Sequence, residues 1–93
     1  MVSLLLTREG LPAGLLVGRR RGRELMIDLD YVMREHRDSR LGAWLFGPGA
    51  DVFRDLGIDR VTSDALTPTH ARYLARVGFE RTSDDSMRWT LRL

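Results

Sequence analysis

A mixed α/β domain with elements in the order βββ-α-β-α-β is the fold class the sequence predicts, and three observations predict it. Two short apolar runs flank a Glu9-Gly10 turn signal, a third run alternates with period two, and helical spacing begins only after residue 40. Ninety-three residues hold one domain, 1–93, with a single core.

The elements follow in order. "VSLLLT" (2–7) ends at Glu9-Gly10, with Pro12 close behind, and "AGLLVGRRR" (13–21) is its expected hairpin partner. In "ELMIDLDYV" (24–32), Leu25, Ile27, Leu29 and Tyr31 alternate with Met26, Asp28 and Asp30, which predicts a third antiparallel strand with one buried face. From Leu41 to Leu56 the spacing of Leu41, Trp44, Leu45, Val52, Phe53 and Leu56 is helical, and Gly57 suits the stop. Gly47-Pro48-Gly49 interrupts that helix, because proline lacks an amide donor and clashes with the preceding turn; a kink or two short helices are expected. "GIDRVTSDAL" (57–66) then reads as a strand, "TPTHARYLARVG" (67–78) as a helix closed by glycine, and "MRWTLRL" (87–93) as a final strand. Trp44, Phe53, Phe79 and Trp89 fall at inward-looking positions and are expected in the core.

Composition narrows the function. Cysteine is absent, which excludes disulfides, thiolate metal sites and a cysteine nucleophile. No stretch approaches the length of a membrane span and the N-terminus lacks the shape of a signal peptide, so a cytoplasmic protein is expected. All 15 basic residues are arginine, yet the net charge is only +2. "RRRGR" (19–23) sits at a hairpin tip with acidic residues soon after it, the pattern of a solvated turn rather than a nucleic-acid or lipid site. His36 and His70 lie on different elements without ligand spacing, so no metal site is expected.

Two stretches carry a resemblance. "VMREHRDSRLG" (32–42) joins the third strand to the first helix, and "ARYLARVGFE" (71–80) ends the second helix. Together with the element order they resemble the GNAT-type N-acetyltransferases, over about nine-tenths of the chain. That family's first motif is a hydrophobic-x-Pro-x-Tyr-Arg/Gln-x-x-Gly-x-Gly/Ala run. Arg37 and Gly42 match its last segment, Arg40 stands at the first motif glycine, and Arg34 and His36 replace the proline and tyrosine. In the second motif, Leu-Tyr-x-Lys/Arg-x-Gly-Phe, Arg76, Gly78 and Phe79 match, while Leu74 occupies the tyrosine position and Tyr73 lies one residue early.

The resemblance implies a GNAT-like mixed sheet in which strands 24–32 and 58–65 splay apart beside the helix near Leu41. It also implies acetyl-coenzyme A as cosubstrate, with its pyrophosphate over the amides that open that helix, where unpaired N–H groups and the dipole favour an anion. The cofactor-binding candidates are Val32, Met33, Arg37, Asp38, Ser39, Arg40, Leu41 and Gly42.

Amide formation from a thioester needs an amine that has lost its proton and a group that reprotonates the leaving thiolate. The family often takes its base from the strand before the phosphate loop. Asp28 is the candidate, and Asp30 shares its predicted face; either can hold a basic amine or relay its proton through water. Tyr73 is the candidate acid, although its shift of one position turns it roughly 100° from the family's tyrosine.

The implied function is acetyl transfer to a primary amine on a small molecule or protein. The alternative is a degenerate module that binds coenzyme A or a protein without chemistry. Relative to the family, a strand and two helices have no counterpart before residue 2, so the apolar first hairpin is expected to pack on a second copy or on a partner domain.

Overall fold

The computed structural model describes residues 1–33, 40–82 and 87–93. One six-stranded sheet, in the order β1-β2-β3-β4-β6-β5, organises the chain. The strands are β1 (Val2–Arg8), β2 (Leu11–Arg21), β3 (Glu24–Val32), β4 (Arg60–Asp64), β5 (Glu80–Arg81) and β6 (Arg88–Arg92). The helices are α1 (Leu41–Leu45), α2 (Asp51–Asp55) and α3 (Pro68–Arg76), with a 3₁₀ turn at Pro48–Ala50 between the first two. The predicted interruption at Gly47-Pro48-Gly49 is therefore a break between two short helices. Strand β5, two residues long, has no counterpart in the period-two pattern.

All neighbouring strands are antiparallel except β3 and β4. Those two run parallel, joined by the crossover that carries α1 and α2, and they pair only at Glu24↔Arg60, Leu25↔Val61 and Met26↔Thr62. The pairing with β4 ends at Met26, and the sheet opens there, as the family resemblance implies.

One core holds the helices to the sheet. Leu6, Leu16, Leu25, Val61 and Leu91 from the strands meet Leu45, Phe46, Phe53, Leu74 and Phe79 from the helical side in a single buried cluster. Phe46 stacks on Phe53 with centroids 6.0 Å apart and meets Phe79 edge-on at 5.0 Å. Such ring pairs add to the roughly 1.5–3 kcal/mol that burial of each large apolar side chain contributes. Trp89 is half-buried and packs against this cluster, but one expected core residue lies elsewhere: Trp44 is 52% exposed. Trp44 lies over the 3₁₀ turn, its ring so close to Gly49 that a Cβ there would stand 2.7 Å away, and Phe46 fills the inward position instead.

The third strand departs from its predicted alternation. Val17 pairs with Leu29 but Gly18 pairs with Ile27, so Asp28 is an extra residue, a β-bulge. Gly18 allows the close approach this requires, since a Cβ there would meet the Met26 carbonyl oxygen at 2.6 Å. A bulge re-aims every side chain beyond it. Leu29 and Tyr31, expected in the core, are each 47% exposed on the outer face, while Asp30 pairs with buried Leu16 and turns to the helical side. Asp28 and Asp30 consequently do not share a face.

Three of the four arginines at the hairpin tip are engaged within the chain. Arg19 pairs with Asp28, Arg20 donates to the Leu56 carbonyl at the end of α2, and Arg23 pairs with Asp59.

Candidate active site

The opening between β3 and β4 is a cleft of about 740 Å³ floored by the end of β3 and walled by α1 and α3. Asp30, Tyr31 and Val32 contribute from β3; Arg40, Leu41, Gly42 and Ala43 from the start of α1; His70, Tyr73, Arg76 and Val77 from α3. Each side chain is there for a local reason. The bulge at Asp28 turns Asp30 inward. On α3, His70, Tyr73 and Arg76 are three residues apart and so share one helix face, while Leu74 takes the core face. That helix starts on Thr67, whose Oγ1 accepts from the His70 amide at 3.1 Å, with Pro68 in the first turn where its missing donor does no harm.

Arg40 precedes α1 with φ +58° and ψ +34°, the left-handed region that glycine adopts freely and other residues rarely. A glycine at this position would adopt that backbone freely, and Arg40 adopts it at a cost. Its carbonyl still accepts the first helical bond, from Trp44 N at 3.0 Å.

At the centre, the Tyr73 phenol and the Asp30 carboxyl line the same cleft and perturb each other's hold on a proton. Burial pushes the Asp30 carboxyl above the usual aspartate range, an effect that the field of His70 and the neighbouring Tyr73 hydroxyl only partly oppose. Burial, followed by the charge of Asp30, raises the Tyr73 phenol far above its ordinary value despite the opposing effect of Arg76. The Arg76 guanidinium lies over the Tyr73 ring, 5.8 Å from its centroid, and the His70 ring stacks with it at 6.4 Å between centroids. The cleft thus holds a carboxylate that binds a proton more readily than usual beside a phenol that keeps its own at neutral pH.

Of the residues expected from sequence, the structure brings together Val32, Arg40, Leu41, Gly42 and Tyr73. Met33 stands next to the lining, its amide bonded to the Ala13 carbonyl at 2.8 Å. Arg37, Asp38 and Ser39 lie outside the described residues, as do Arg34 and His36. Asp28 does not line the cleft: its carboxylate takes a two-pronged bond from Arg19, with contacts of 2.9–3.2 Å, on the exposed side of the bulge. Asp30, considered beside it, occupies the cleft instead. His70 and Arg76 were not among the expected site residues, although their three-residue spacing with Tyr73 is legible. Among the described residues no group of three or more His, Cys, Asp or Glu side chains is arranged to hold a metal ion.

The architecture is shared with known acetyltransferases. An acetyltransferase from Bacillus cereus superposes with a TM-score of 0.73 at 20% identity, covering 99% of this chain and 72% of that one. Tetrahymena GCN5 superposes with a TM-score of 0.75 at 13% identity, covering 97% of this chain and 66% of that one. The PaiA N-acetyltransferase from Thermoplasma acidophilum, solved in complex with coenzyme A, gives 0.72 at 12% identity, covering 99% and 60%. The fold is therefore that of the GNAT-type N-acetyltransferases, and the chain spans between 60% and 72% of the length of these three. No protein-family model matches the sequence, and no curated protein matches it.

Proposed function

We propose that this chain is an acetyl-coenzyme A-dependent N-acetyltransferase that acts on a primary amine. The observation that carries the reading is the Asp30–Tyr73 pair inside the sheet opening, beside the start of α1. The coenzyme A complex of the Thermoplasma acidophilum neighbour supports the cosubstrate. The cleft suits such a ligand: its volume is about 740 Å³, and Arg40 and Arg76 in its lining supply guanidinium groups for phosphate.

In this reading the acceptor enters as an ammonium ion and gives its proton to Asp30, directly or through water. The free amine forms a bond to the thioester carbonyl carbon; the carbon–sulfur bond breaks, the thiolate takes the phenolic proton of Tyr73, and the nitrogen gives its second proton to the phenolate, directly or through water. Asp30 returns its proton to solvent. The raised affinity of Asp30 for a proton makes it a better base than an exposed aspartate, and the raised affinity of Tyr73 keeps the acid loaded.

The apolar outer face supports self-association. Leu5, Leu15 and Tyr31 lie in register across β1, β2 and β3, with Val17 and Leu29 next to them, on the face away from the helices. Strand β1 is also a sheet edge. A second copy packed over this hairpin covers both and leaves the cleft free.

Incubation with acetyl-coenzyme A and a set of small primary amines, read by mass spectrometry, tests the activity. Acetylated amine with free coenzyme A is expected. Binding of the cosubstrate without any transfer supports the non-catalytic module instead.

A further inference from the structure

Gly42 is the second residue of a five-residue helix, a place where glycine is unfavourable by about 1 kcal/mol relative to alanine. Its backbone does not demand glycine, since it is absent from the positions with positive φ. The demand comes from across the cleft. A Cβ on Gly42 would lie 2.0 Å from the Tyr73 hydroxyl oxygen, 3.0 Å from Cζ and 3.2 Å from Cε1, so the phenol occupies the volume that any other residue at 42 would fill. The contact is specific to this one ring, for the three nearest atoms all belong to Tyr73.

We propose that Gly42 is the positioning residue for Tyr73: its missing side chain is the seat that holds the phenol in the cleft beside Asp30. The seat resolves the shift of register in α3. Position 74, where the resembling motif has tyrosine, is held by Leu74 in the core at 1% exposure. The hydroxyl must therefore reach the cleft from Tyr73, one residue earlier and on a different side of the helix. It does so by bringing its hydroxyl end against the first turn of α1, and only a glycine there leaves room. His70 and Arg76 against the ring, and the Asp30 carboxyl in the same cleft, complete the seat. That the seated hydroxyl serves acetyl transfer rests on the function proposed above; the seat itself rests on geometry alone.

The test is a double-mutant cycle combined with chemical probing of the phenol. Gly42→Ala should lower the thermal midpoint clearly in the wild-type background and hardly at all beside Tyr73→Leu, whose shorter side chain stops short of α1. In a Tyr31→Phe background, which leaves Tyr73 as the sole phenol, tetranitromethane should nitrate Tyr73 slowly. Gly42→Ala should raise that rate severalfold, because the displaced ring loses Asp30 and gains solvent. A Gly42→Ala protein that fails to fold while its Tyr73→Leu double variant folds supports the seat equally. A double variant as impaired as Gly42→Ala alone, or nitration unchanged by the alanine, overturns it. Failure of the wild type to bind acetyl-coenzyme A would count against the proposed function and leave both readouts of the seat intact.

Discussion

Tyr73 faces Asp30 in one cleft between β3 and α3, and each alters the other's hold on a proton. One partner is carried by a strand that has just passed a bulge and the other by a helix that starts on a threonine cap. The pair thus brings the end of β3 and a face of α3 together in one cleft. Its chemistry follows from that placement, since partial burial disfavours charge on both groups.

The first consequence concerns stability. Asp30 binds its proton more tightly in the folded chain than in the unfolded one, because burial disfavours its charge. Between the ordinary aspartate value and the raised one, the folded state holds more protons, so stability falls as pH rises through that window. Asp30→Asn removes the charge. It should flatten that acidic stretch of the stability profile and stabilise the protein at neutral pH, as measured by urea unfolding at a series of pH values.

Removal of the phenolic hydroxyl should separate binding from turnover. Tyr73→Phe keeps the ring beside His70 and Arg76, so acetyl-coenzyme A affinity should change little, while the acid that reprotonates the thiolate is lost. Turnover should fall by roughly 100-fold or more, the ordinary scale of general-acid catalysis. Steady-state kinetics with any accepted amine checks this through the split between kcat and KM.

The left-handed backbone of Arg40 is open to direct test. An L side chain there costs roughly 1–2 kcal/mol, partly offset by the greater freedom glycine has when unfolded. Arg40→Gly should therefore raise stability by up to about 1 kcal/mol, whereas Arg40→Ala, which keeps the Cβ, should not. Thermal unfolding of the two variants provides the comparison.

How much of this was legible in the sequence depends on which rule each element obeys. The three-strand meander, the break at Pro48 and the helix from Thr67 follow from periodicity, proline and capping, and they appear in the structure within a few residues. The bulge at Asp28 was not legible, because an inserted residue leaves the alternation of Leu25, Ile27, Leu29 and Tyr31 intact on paper while reversing half of it in space. That one residue placed Asp28 in the site and left Asp30 as its companion, the opposite of their positions about the cleft. Trp44 was misplaced for a related reason: helical spacing points it inward, but a helix of five residues ends before the pattern can decide, and the glycine turn captures the ring. Gly42 was legible as a motif position, but its contact with Tyr73 depends on how α1 and α3 pack and has no local signature.

The outer face predicts assembly. Leu5, 63% exposed on the edge strand, is central to the apolar surface over β1 to β3. Light scattering at high micromolar concentration should give a dimer, and Leu5→Asp should return it to a monomer with the fold unchanged by circular dichroism. A wild-type monomer, or a dimer indifferent to the substitution, would remove this surface from consideration.

Calorimetric titration with acetyl-coenzyme A tests the central claim, that the opening between β3 and β4 is a cosubstrate site. Saturable binding at one site per chain is expected, and Arg40→Glu should weaken it at least about tenfold, since a charge-assisted contact contributes roughly 1.5–3 kcal/mol. No heat of binding at millimolar ligand, or an affinity unchanged by the charge reversal, would contradict the account.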